Sequence, residues 1–200
     1  MPDFPATDLF TQADDASTPL THEEALDLIP SYIAYRSELN AAEQENILRG
    51  QAWALARRRD LLSEKFVKDL HKQMLGDVWR WAGKFRTSER NMGVAHWEIP
   101  AALRILLDDT KTWIECKTYP RDEIAARFHH RLVQIHPFVN GNGRHSRLMA
   151  DLLVMQPGGV RFSWGRAGLI VASEVRARYI EALKAGDKQD IAPLLAFARS

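Results

Sequence analysis

Apolar positions recur every three or four residues along most of the chain, and the interruptions fall at proline, glycine and short polar clusters. This is the pattern of amphipathic helices joined by turns. Thr21 and Glu24 fit a capping box, which predicts a short helix ending near Pro30. A longer helix is predicted over about residues 39–58, with Leu48, Ala52 and Leu55 sharing a face and Ile47 beside it. Glu43 and Glu45 near its start and Arg57, Arg58 and Arg59 near its end suit the helix dipole. Ser63 can cap a further helix on which Leu62, Phe66, Leu70 and Met74 recur, and Gly76 can end it.

The helical period disappears from Lys84 to Ile99. Thr87 and Val94–Ile99 read as extended, with turn chemistry at Asn91-Met92-Gly93, so a small β-hairpin is expected there. Pro100 then opens a helix burying Leu103, Leu106, Leu107 and Thr110. Pro120, Asp122 and Glu123 open another, which buries Ile124, Phe128, Leu132 and Ile135. Leu148, Leu152 and Met155 continue a helix to Pro157. Two more are expected at about residues 168–185 and 190–199. The expected fold class is all-α, a helical bundle with one small hairpin.

Composition narrows the picture modestly. The chain has 200 residues, 46% of them hydrophobic, enough for one sizeable core. A net charge of +1 gives no reason to expect a nucleic-acid or membrane surface. The single cysteine, Cys116, cannot form an internal disulfide, and it reads as a small buried hydrophobe. No apolar run reaches the roughly 20 residues of a membrane span. Residues 1–20 read as a loosely ordered lead-in without the features of a secretion signal. A cytoplasmic setting fits. His129, His130, His136 and His145 lack a His-Glu-x-x-His spacing, cysteines or a carboxylate pair, so no histidine metal site is expected.

The chemistry concentrates in His136-Pro137-Phe138-Val139-Asn140-Gly141-Asn142-Gly143-Arg144-His145-Ser146-Arg147, between two helical patterns. Gly141 and Gly143 permit close backbone approach to a ligand. Their N–H groups and that of Asn142 would line the start of a helix, where anions bind. Arg144 and Arg147 lie one turn apart on the same side, which suits a polyphosphate. His136 has the chemistry of a general base at neutral pH. A Walker A loop would end in Gly-Lys-Ser/Thr after a strand, and this one does not. Trp53, Trp79, Trp81 and Trp113 read as core, and Trp164 or Tyr179 as neighbours of a bound base.

These twelve residues resemble the signature of Fic proteins, His-Pro-Phe-x-(Asp/Glu)-Gly-Asn-Gly-Arg-x-x-Arg, departing from it at Asn140. Residues 78–86 resemble the segment entering the Fic flap, and the likeness extends over about residues 61–199, with residues 1–60 as an N-terminal extension. Asn140, the Arg144–Arg147 ending and the helix around Asn46 are similar to the branch called mobile mystery protein B, a bacterial type whose members lie beside a helix-turn-helix protein. The resemblance implies transfer of AMP from ATP, with Mg²⁺, to a Tyr, Thr or Ser hydroxyl of a target protein. It makes His136 the base and Gly141, Asn142 and Gly143 phosphate binders. Arg144 would hold the β-phosphate side and Arg147 the γ-phosphate, while Asn140 stands where an acidic residue usually ligates Mg²⁺. The flap at about residues 84–99 would register the target. Glu45-Asn46 resembles the end of an inhibitory motif, which implies pairing of Glu45 with Arg147, or a role in AMP removal. A different nucleotide or phosphoryl donor, AMP removal, a nucleotide-binding partner of a helix-turn-helix protein, and self-association remain as alternatives.

Overall fold

The computed structural model describes residues 22–156, 158–165 and 172–200. The expected lead-in, the Thr21 cap and the start of the helix expected from about residue 168 lie outside the described residues. Eight α-helices are present among those described: α1 (His22–Ala25), α2 (Arg36–Leu55), α3 (Glu64–Leu75), α4 (Ile99–Glu115), α5 (Arg121–Ile135), α6 (Asn142–Met155), α7 (Ala172–Asp187) and α8 (Ala192–Arg199). A 3₁₀ turn, His96–Glu98, leads into α4. The all-α expectation holds.

The α5–α6 pair is the centre of the molecule because each helix is buried on more than one side. Phe128, Leu132 and Ile135 of α5 and Leu148, Met149 and Leu152 of α6 join one apolar cluster with α2, α3, α4 and the Val78–Ala82 turn. Ala125, Ala126, Ala150 and Val154, on other faces of the same helices, join a second cluster with Phe162, Trp164, α7 and α8. Each large side chain so buried contributes about 1.5–3 kcal/mol. The loop between α5 and α6 is therefore held at both ends by helices buried in both clusters.

Helix α3 is capped as its sequence predicts, Ser63 Oγ accepting from Phe66 N at 3.3 Å. The expected faces of α3, α4 and α5 are the buried ones. Helix α2 is different. Leu48 and Leu55 are exposed, and the buried stripe is Leu39, Glu43, Asn46, Gly50 and Ala54. The reason is proximity. A Cβ on Gly50 would lie 2.8 Å from the Met74 backbone, so α2 packs backbone-close against the end of α3. Polar residues fill the rest of the seam, Asn46 donating to Gln73 O at 3.0 Å and accepting from Asp77 N at 2.9 Å.

The hairpin expected at residues 84–99 is not formed; the segment runs through bends into the 3₁₀ turn. Its arms are joined by a side chain in place of a strand ladder. Arg86 donates to Ser88 O (2.9 Å) and to Val94 O. The backbone N–H of Arg86 goes to Pro137 O at 2.9 Å. Cys116, expected to be buried, is exposed at the end of α4.

Candidate active site

The loop from His136 to Gly141 is fixed by local bonds. His136 ends α5 in the left-handed region (φ 51°, ψ 59°), its N–H donating to Leu132 O at 3.2 Å. Such a conformation costs an L-residue roughly 1–2 kcal/mol, so surrounding contacts must hold it. Phe138 is buried, its ring stacked on His71 with centroids 3.7 Å apart. The Asn142 side chain pairs with both backbone groups of Phe138, accepting from N at 2.9 Å and donating to O at 2.8 Å. Gly141 (φ 75°) opens α6, and a Cβ there would strike Leu75 Cδ1 at 2.5 Å. The Gly83 N–H donates to His71 Nδ1 at 2.9 Å. This leaves the His71 proton on Nε2, which donates to Asn140 O at 3.0 Å.

His136 is 5% exposed, and neither ring nitrogen has a hydrogen-bond partner of normal geometry among the described residues. Burial, with the Arg86 charge next in effect, lowers its pKa to about 4; the Val133 carbonyl partly offsets this. The imidazole is therefore neutral at physiological pH and has a lone pair to take a proton.

The first turn of α6 leaves backbone N–H groups without an intrahelical acceptor and carries the positive end of the helix dipole. Gly143 has open space where a Cβ would stand, with Arg147 Nη1 as its neighbour at 3.9 Å. Gly143, Arg144 and Arg147 are half-buried, while Asn142, His145 and Ser146 are buried. The Asn142 side chain thus faces inward as a loop staple, and only its backbone is placed for a ligand.

The two arginines are held differently. Arg144 Nη1 donates to Glu43 Oε2 at 2.9 Å. The other oxygen of Glu43 accepts from Trp79 Nε1 at 2.8 Å. The Arg147 guanidinium lies over the Tyr179 ring, 5.4 Å from its centroid. Tyr179 Oη is 2.9 Å from His129 Nε2. The expected pairing of Glu45 with Arg147 is absent. Glu45 faces solvent, with Arg49 4.0 Å away, because it falls off the buried stripe of α2. Glu43, two residues earlier, is the carboxylate that α2 delivers to the signature.

The donor set does not fit a Mg²⁺ held by the protein itself. No cluster of three His, Cys, Asp or Glu residues exists among the described residues. Asn140 Oδ1, a neutral oxygen, already accepts from Gly141 N at 2.6 Å. The histidines are separated by their own bonds: His145 Nε2 donates to Val67 O at 3.0 Å, and His130 meets Leu183 O and Asp187.

Four residues that position the site carry no signal of their own in the sequence. His71 lies among the apolar positions of α3, Glu43 looks like a first-turn carboxylate, and Arg86 and His129 look like surface or core residues. Only the fold joins them to His136, Asn140, Arg144 and Arg147.

Residues 61–154 match the model of the Fic/DOC family. A protein adenylyltransferase Fic from Aedes aegypti is 31% identical over 147 residues, 72% of this chain and 28% of that relative. The relative from Drosophila virilis is 33% identical over 66% of this chain and 27% of its own length. The chain thus spans little more than a quarter of the curated relatives it matches. Among solved structures, BepC of Bartonella tribocorum aligns with a TM-score of 0.68 at 17% identity, over 90% of this chain and 97% of that one. Fic-1 of C. elegans aligns with a TM-score of 0.64 at 24% identity, over 86% and 50%. These two likenesses concern the fold.

Proposed function

Because the chain belongs to the Fic/DOC family, we propose that it is a protein adenylyltransferase, moving AMP from ATP to a hydroxyl of a target protein. The observation that carries this reading is the buried, neutral His136 ring with a lone pair to take a proton, set ahead of a helix start flanked by Arg144 and Arg147. The relatives named protein adenylyltransferase Fic support it.

In this reading ATP enters as its Mg²⁺ complex, the metal belonging to the substrate. The N–H groups at the start of α6 take the phosphates, with Arg144 and Arg147 toward the β and γ ends. His136 removes the proton of the acceptor hydroxyl. The oxygen attacks the α-phosphorus, a new P–O bond forms, and the bond to the β-bridging oxygen breaks to release pyrophosphate. The target lies along about residues 84–99, where Met92 and Trp97 are exposed apolar side chains. Residues 61–200 act as the transferring unit, and residues 1–60 carry α2 as its regulator. Glu43, rather than Glu45, restrains the site by holding Arg144. A cytoplasmic setting supplies the ATP.

Asn140 favours a second reading, in which the chain binds nucleotide with little turnover, since an uncharged, already bonded amide adds little to metal affinity. Incubation with α-labelled and γ-labelled ATP separates the two. AMP transfer requires retention of the α-label alone and its loss in His136→Ala. Retained γ-label indicates phosphoryl transfer, and ATP binding with no label supports the second reading.

A further inference from the structure

Arg86 is an unusual charge. Its side chain is wholly buried, while the Glu89 carboxylate, 3.9 Å from it, is half exposed. A buried guanidinium bonded mainly to neutral carbonyls loses hydration without the return of a close ion pair. An apolar residue would serve plain packing at lower cost.

The bonds it makes are specific. Nε donates to His136 O at 2.7 Å. Nη1 donates to Ser88 O at 2.9 Å, and Nη2 to Val94 O. The Arg86 backbone N–H donates to the carbonyl of Pro137 at 2.9 Å. One residue therefore joins both arms of the flap to the left-handed residue that carries the base. The second arm also presses on the same junction. Gly93 has φ +106°, and a Cβ on it would lie 2.7 Å from Arg86 Nη2 and 2.8 Å from His136 Cβ.

Resting on the adenylyltransferase reading, we propose that Arg86 is a positioning residue that couples the flap to the base, so that a target backbone bonded at residues 88–94 sets the placement of the His136 ring. A carbonyl oxygen has two acceptor sites. An extended target segment can therefore donate to Ser88 O or Val94 O while Arg86 stays bonded to them. Contact at the flap then tightens the network that ends on the His136 carbonyl. Lysine keeps the charge but cannot span three carbonyls with a planar fork. Arg86 and Arg90 are the charged groups that lower the His136 pKa.

The test compares the parent chain with Arg86→Lys, Arg86→Gln and Gly93→Ala, the last crowding the junction at Arg86 Nη2 and His136 Cβ while keeping the guanidinium. Amide hydrogen exchange is expected to lose protection in residues 86–95 and 136–141 together in Arg86→Lys and Gly93→Ala, with residues 145–155 unchanged. By NMR, the His136 ring is expected to titrate near 4 in the parent and Arg86→Lys, and to move toward 6.5 in Arg86→Gln. Transfer of α-label is expected to fall at least tenfold, roughly the effect of a misplaced reacting group, while ATP affinity is kept. Loss of protection confined to the flap, or a His136 titration unmoved in Arg86→Gln, would overturn the coupling. Absence of AMP transfer in both the parent and Glu43→Gln would refute the adenylyltransferase reading, and the exchange and titration results would still decide the coupling.

Discussion

At the scale of single residues the site works through hydrogen-bond states. His136 sits near 4 because burial and the Arg86 charge both disfavour the imidazolium. Proton acceptance needs the neutral ring, so kcat/KM for transfer should be flat from neutral pH to about 5 and fall through an apparent pKa near 4. A limb centred at 6.5 would place the base elsewhere or show the ring to be solvated in the free enzyme. Asn140 gives a second prediction. Restoring a carboxylate with Asn140→Asp should lower the Mg²⁺ concentration for half-maximal transfer by about tenfold, since an added anionic ligand strengthens Mg²⁺ binding. Equal Mg²⁺ titrations for parent and variant would mean that the nucleotide alone holds the metal.

At the scale of elements, Gly50 is what lets α2 dock beside the site. Its would-be Cβ meets Met74 backbone atoms, which cannot swing aside. Gly50→Ala should therefore lower stability by about 1–3 kcal/mol despite alanine's better helix propensity, as read by thermal or denaturant unfolding. An unchanged or raised Tm would mean that the α2–α3 seam is looser than described. The same seam explains what the sequence could and could not reveal. Helices α3, α4 and α5 were legible because each buries an apolar stripe at helical spacing. The buried stripe of α2 contains Glu43, Asn46 and Gly50, so a hydrophobic pattern points to the opposite face. The expected pairing of Glu45 with Arg147 is missing for the same reason. Residues 84–95 carry β-like composition, yet the bonds a hairpin would make between its arms are made by the Arg86 side chain, which no strand pattern encodes. The turn of the signature loop was legible because its glycines and Asn142 shape it locally, while the approach of Gly141 to Leu75 and the Arg86 bond to His136 O come from distant elements.

At the scale of the whole molecule, neutral histidines are part of the packed core. His129 is lowered to about 3, His136 and His145 to about 4, and His71 well below 6.5, burial being the leading cause in each. These groups gain protons on unfolding at any pH between their folded and unfolded values. The stability they confer is complete above about 6.5 and is lost as pH falls toward 4. The slope is about 1.4 kcal/mol per pH unit for each histidine that protonates. Urea unfolding between pH 7 and 4.5 should show this as a steep loss of stability with proton uptake. A pH-independent midpoint over that range would mean that these rings are hydrated in the folded chain.

The α2 helix and the signature loop meet at the bond between Glu43 and Arg144, which in the proposed function restrains an AMP-transfer centre run by His136. The most direct measurement is incorporation of α-label from ATP in four forms of the full chain: parent, Glu43→Gln, Glu45→Gly, and Glu43→Gln combined with His136→Ala. Glutamine keeps an acceptor for the Trp79 indole while removing the charge that holds Arg144. Labelling is expected to rise in Glu43→Gln, stay at the parent level in Glu45→Gly, and vanish in the double variant. Labelling that rises only in Glu45→Gly, or that survives the loss of His136, would contradict it.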